Sequence, residues 1–187
     1  EPDVSYHGVV YTEALGPAAY IVRARVVPLR NTGAAISPFN AFLLLQGIET
    51  LGLRIDRICE NALAVAKHLA SHKKVSWVRY AGLDSHPDYA MVKKYLSGKA
   101  PGLLTFGVRS GRAGGERFQD ALKLITRLVN ISDAKSLACH PASTTHRQLS
   151  PEELGKAGVS EDMVRLSIGI EHIDDIIADI DQALAGA

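Results

Sequence analysis

Residues 162–185 read DMVRLSIGIEHIDDIIADIDQALA, and this stretch decides the fold. Its first part alternates. Val164, Leu166 and Ile168 fall on one side of an extended chain, and Met163, Arg165, Ser167 and Gly169 fall on the other. Its second part changes period. Ile173, Ile176, Ile177, Ile180 and Leu184 make one apolar helix face, and Asp174 and Asp175 sit in the first turn, where the helix dipole favours acids. A strand followed by an amphipathic helix is therefore predicted.

The same pairing of periods recurs toward the N-terminus. VSWVRY (75–80) and GLLTFGVRSG (102–111) read as strands, and HPDYAMVKKYL (86–96) reads as a helix. ERFQDALKLITRLV (116–129) reads as a helix with Phe118, Ala121, Leu122, Ile125 and Leu128 on one face, followed by a short strand near Val129–Ser132. SPEELGKAG (150–158) carries a capping box, with Ser150 at the cap, Pro151 first and Glu153 third. Ser37 and Pro38 start another helix. It runs through FNAFLLLQGIETL, bends near Gly52 and continues to about residue 72 on a stripe of Leu53, Ile55, Ile58, Ala62, Val65, Ala66 and Leu69. Residues 1–36 do not read as an autonomous unit; ARVVPL within them suits an edge strand, because Pro28 lacks an amide donor. The expected class is α/β (α+β): about four mostly antiparallel strands with helices on one face.

Composition narrows the function. The chain has 187 residues, 21 basic and 20 acidic, with a net charge of +1. This balance gives no electrostatic reason for nucleic acid or a membrane surface as partner, and no apolar run approaches the ~20 residues of a spanning helix. Cys59 and Cys139 are expected to be reduced thiols in a cytoplasmic protein, with Cys59 on the core side of its helix.

Four segments could carry chemistry. Arg165 stands mid-strand beside a small hydroxyl and a glycine; it suits a bidentate carboxylate or phosphate, or simply a solvated sheet face. HPASTTH (140–146) has two histidines six apart, a poor spacing for zinc, and lacks the Gly-x-Ser-x-Gly elbow of a serine hydrolase. Its hydroxyls either line a ligand or cap a turn. RNTGAAISP (30–38) is a polar loop leading into a helix N-terminus, and GVRSGRAGG (107–115) reads as a glycine-rich connection without the lysine spacing of a phosphate loop.

In order and spacing, SPFNAFLLLQGIETLGLRIDRICENALAVAKHL, VRYAGLDSHP, DAKSLACHPASTTH and VRLSIGIEHIDDIIADIDQAL resemble the C-terminal half of the Cys/Met-metabolism pyridoxal-phosphate enzymes. With YHGVVYTEALGPAAYIVRAR, they look most like the O-acetylhomoserine sulfhydrylase branch; HPAS is shared with methionine γ-lyases and cystathionine γ-synthases and lyases. The resemblance implies the small domain of a fold-type I transferase at 52–187, preceded at 1–51 by the tail of a cofactor-binding large domain and a linking helix. It implies that Arg165, with Asn130 and Thr145, binds the substrate α-carboxylate. It implies that Ser136 and His140 shape the loop, and that Arg30 and Asn31 lie on a loop near an active site at a subunit interface. The parent would use pyridoxal 5'-phosphate, act on O-acetylhomoserine and sulfide, and assemble as a homotetramer.

None of the nine lysines stands in the Ser-x-Thr-Lys-like context of the family's catalytic lysine. The chain is therefore expected to be a C-terminal fragment, inactive alone and without bound cofactor. A stand-alone interaction domain is the competing reading.

Overall fold

The computed structural model describes residues 1–187. The chain divides into two compact units, Glu1–Glu49 and Thr50–Ala187.

The first unit is helical. α1 (Tyr11–Leu15) and α2 (Ala19–Ala24) lead into a π-helical stretch, Arg25–Leu29, which runs on as α3 (Arg30–Thr32). The edge strand expected at ARVVPL is therefore a widened helix. Pro28 cannot donate to the carbonyl four residues back, and its ring would crowd that carbonyl in a regular α-helix. Winding out to longer hydrogen bonds, such as Arg30 N–H to Arg25 O, relieves the conflict. Thr32 Oγ1 donates to the Pro28 carbonyl at 2.8 Å. The run ends at Gly33, whose φ of 63° is a left-handed C-terminal turn. Arg30 and Asn31, expected on a loop, thus belong to the last helical turn. α4 (Pro38–Glu49) starts where predicted, with Asn40 N–H donating to Ser37 Oγ at 3.1 Å. It is apolar around most of its circumference and buries no side chain within its unit.

The second unit is a five-stranded sheet with its long helices against one face. α5 (Leu51–Ser71) follows a break at Thr50, two residues before the expected bend. It buries Ile58, Ala62, Val65, Ala66 and Leu69, with Cys59 beside them, whereas Leu53 and Ile55, expected on the same stripe, are exposed. β1 (Val75–Arg79), α6 (Tyr89–Tyr95), β2 (Leu103–Val108), α7 (Gly111–Ala121), β3 (Thr126–Arg127), β4 (Leu137–Cys139), α8 (Pro151–Lys156), β5 (Met163–Ser167) and α9 (Ile173–Ala185) complete the chain. Strand order is β1-β2-β5-β4-β3, antiparallel except for β3 with β4.

Leu104, Phe106 and Val108 from β2 join Val164, Leu166 and Ile168 around β5 in the main core, against α5, α7 and α9. Phe106 and Phe118 meet edge to face at 5.4 Å, a favourable aromatic geometry. The opposite face carries a smaller cluster in which Met163 and Trp77 pack with Ala142, Leu154 and Val159. The capping box of α8 forms as read, with Ser150 and Glu153 exchanging bonds.

α7 departs most from expectation. It begins at Gly111, inside the segment expected to be a connection, and ends at Ala121, eight residues before the predicted end. The strand after it is Thr126–Arg127, and Leu128, expected in the core, is half exposed. Both ends have tertiary causes. A Cβ at Gly115 would lie 2.4 Å from the His140 ring, so the glycines belong to a close helix contact. At the other end, Asp179 of α9 accepts amide hydrogens from Lys123, Leu124 and Ile125 at 2.8–3.0 Å, which takes those donors from the helix.

Candidate functional site

β5 places Arg165 at the centre of the sheet, between Thr105 of β2 and Cys139 of β4. Its alternation puts the side chain on the face away from the main core, as the sequence predicts. Arg165 is partly buried and has no carboxylate within ion-pair distance. Its one side-chain hydrogen bond is long, 3.5 Å from Nη2 to the Asn130 carbonyl. A partly buried guanidinium with most of its donors uncommitted is poised for a planar anion.

The structure therefore brings Arg165 and Asn130 together, but through the Asn130 backbone. The Asn130 side chain turns away and accepts from the Ile131 amide at 2.9 Å. Thr145 is exposed and its hydroxyl pairs with His146 Nδ1 at 2.8 Å. Thr144 is the inward threonine, donating to the His140 carbonyl at 2.8 Å and meeting Cys139 Sγ at 3.2 Å.

The HPASTTH loop is built on His140, which is fully buried. Nε2 faces the Glu161 carbonyl at 2.9 Å, so it carries the hydrogen, and Nδ1 accepts from Ser143 at 2.8 Å. The His140 amide donates to Gln119 of α7 at 2.8 Å. Burial pushes the imidazole below its usual range, only partly offset by the Glu161 carbonyl. The folded state thus keeps the ring neutral while the unfolded chain titrates near 6.5. Stability should be full above that value and fall as pH drops through the interval below it. Unfolding measured at pH 7.5 and 5.5 should show a loss on acidification that shrinks in His140→Gln; an equal loss in both proteins would remove His140 from the effect.

Ser136 plays a comparable internal role. Its amide and hydroxyl donate to the Glu171 carboxylate at 2.6 and 2.9 Å, and its Oγ accepts from Gly169 N–H at 2.9 Å. Asn61 of α5 donates to the Gly169 and Glu171 carbonyls at 3.0 and 2.9 Å. Asn61 and Glu171 were not legible as partners in the sequence, since each is separated from its contact by a long stretch of chain.

Eight of the nine lysines are exposed. The ninth, Lys74, donates to the Ala185 and Ala187 carbonyls. Lys99 is paired with Asp56, which pushes its ammonium pKa up.

Comparison with known proteins places this architecture. The pattern of the Cys/Met metabolism PLP-dependent enzymes matches residues 6–185, and the chain belongs to that family. Within it, the chain is 52% identical over its whole length to the Sulfhydrylase FUB7 of Fusarium oxysporum f. sp. lycopersici, covering 43% of that protein. It is 50% identical to the O-acetyl-L-homoserine sulfhydrylase 1 of Thermus thermophilus over 99% of this chain and 44% of the relative. A crystal structure of a Campylobacter jejuni protein assigned as an O-acetylhomoserine (thiol)-lyase, containing a pyridoxyl-lysine monophosphate residue, superposes with a TM-score of 0.85. It is 44% identical and covers 98% of this chain and 44% of its own. The chain thus spans less than half the length of the curated relatives it matches. No helix is long and apolar enough to cross a membrane.

Proposed function

We propose that this chain forms the substrate-carboxylate side of the pocket in an O-acetylhomoserine sulfhydrylase, a cytoplasmic homotetramer that converts O-acetylhomoserine and sulfide to homocysteine and acetate. The observation that carries the reading is Arg165: partly buried, free of any acid partner, and held by the backbone of Asn130. A guanidinium in that state offers parallel donors to an α-carboxylate. In this reading Asn130 orients the arginine, Thr145 flanks the carboxylate from the HPASTTH loop, and Arg30 and Asn31 approach a neighbouring subunit's pocket. Residues 1–51 would be the tail of the cofactor-binding domain with its linking helix, and 52–187 the small domain.

The residues present do not fit pyridoxal phosphate by themselves. A Schiff-base lysine needs a desolvated amine, and every lysine here is exposed or already donating. We therefore assign none of the nine as catalytic and expect the isolated chain to be inactive and to hold no cofactor. The full-length enzyme should form homocysteine from O-acetylhomoserine only when sulfide is supplied, and the 187-residue chain should form none. Sulfide-independent release of 2-oxobutyrate as the main reaction would assign the parent to the γ-lyase branch instead.

A further inference from the structure

We propose that Ser167 is a positioning residue for Arg165, acting through the backbone of Ser132 and Asn130; the inference rests on the carboxylate role assigned to Arg165 above. Ser167 is 2% exposed and lies two residues beyond Arg165 on β5, so both side chains leave the same face of the sheet. Its Oγ accepts the Ser132 amide hydrogen at 3.0 Å. Ser132 has a φ of 60°, a left-handed conformation that a residue with a side chain seldom holds without support.

The segment from Leu128 to Ala134 is tied at its ends. The Leu128 amide donates to the Ala138 carbonyl at 3.2 Å, and the Ala134 carbonyl accepts from Ile170 at 3.0 Å. Between them, two bonds join the segment to β5: Ser132 to Ser167, and Asn130 to Arg165. The second is the longer and weaker at 3.5 Å. Ser167 thus fixes the turn, the turn aims the Asn130 carbonyl, and the carbonyl sets one edge of the guanidinium. A carboxylate then meets a fork that is already oriented, which avoids the cost of ordering it on binding. Without the Ser167 hydroxyl, Ser132 is free to leave the left-handed region and Asn130 swings away from Arg165.

The test uses the full-length enzyme with its cofactor. Ser167→Ala should raise KM for O-acetylhomoserine and Ki for L-norvaline, an α-amino acid without a leaving group, by about tenfold, the scale of one lost hydrogen bond. Its kcat should stay within about twofold and its cofactor absorbance should be unchanged. Adding Ser132→Gly should restore most of the affinity, because glycine holds the left-handed turn unaided. A merely structural defect would not be repaired by that second change. Unchanged KM and Ki in Ser167→Ala, or no recovery on adding Ser132→Gly, would overturn the inference. Arg165→Ala, measured alongside, separates the two failures. If it raises KM while Ser167→Ala does not, the positioning role falls and the carboxylate role stands. If it leaves KM unchanged, both fall.

Discussion

Arg165→Ala in the full-length enzyme is expected to raise KM for O-acetylhomoserine about 100-fold while the cofactor stays bound. The magnitude follows from losing a charge-assisted, two-pronged contact, each prong of which contributes about 1.5 kcal/mol or more. It should be felt mainly in substrate binding, because a carboxylate anchor is present in the ground state as well as the transition state. Arg165→Lys should recover only part of the loss, since an ammonium keeps the charge and not the planar fork. Folding should survive: the side chain makes one long hydrogen bond and lies off the main core. Steady-state kinetics with the cofactor absorbance recorded on the same samples check the prediction. A KM within twofold of wild type would remove Arg165 from the carboxylate.

Asp179→Ala should destabilise the Thr50–Ala187 unit by about 3 kcal/mol, the cost of stranding several donors that now reach one buried carboxylate. Asp179 is 6% exposed, accepts three consecutive backbone amides, and also takes the Gln182 side-chain amide at 2.9 Å. Asp179→Asn should fall between the two, because its amide oxygen still accepts while its nitrogen faces donors. Urea unfolding followed by the fluorescence of Trp77, the one tryptophan, reads this unit directly. A loss below about 1 kcal/mol would show that water replaces the carboxylate at the part-buried Lys123 and Leu124 amides.

These two residues mark what a sequence can and cannot disclose. Arg165 was legible because its neighbours on β5 alternate cleanly, so an arginine among them stood out by face as well as by type. α9 and the α8 capping box were legible because their signals lie within a few residues. Asp179 was not legible: it reads as one acid in an acidic helix, and the three backbone amides it accepts are more than fifty residues away. A tertiary contact also hid the start of α7, where Gly111–Gly115 resembles a loop until the His140 ring is placed against it. Leu53 and Ile55 fit the apolar stripe of α5 by period yet are exposed, since period alone does not say how far the covering sheet extends. In the TT pair of HPASTTH, the inward threonine is Thr144, a choice made by the turn after His140 and invisible in the letters.

The two margins of the sheet have a bearing on solubility. β3 is only two residues long, and Arg127 on it is paired with Asp120. β1 changes register between Val75 and Trp77, and Arg79 lies 5.9 Å from the centre of the Trp77 ring. A foreign strand seeking to extend the sheet finds a docking row too short on one side and kinked and cationic on the other. The domain therefore carries its own safeguard against fibrillar growth at high concentration, built from a brief strand, a bulge and two arginines.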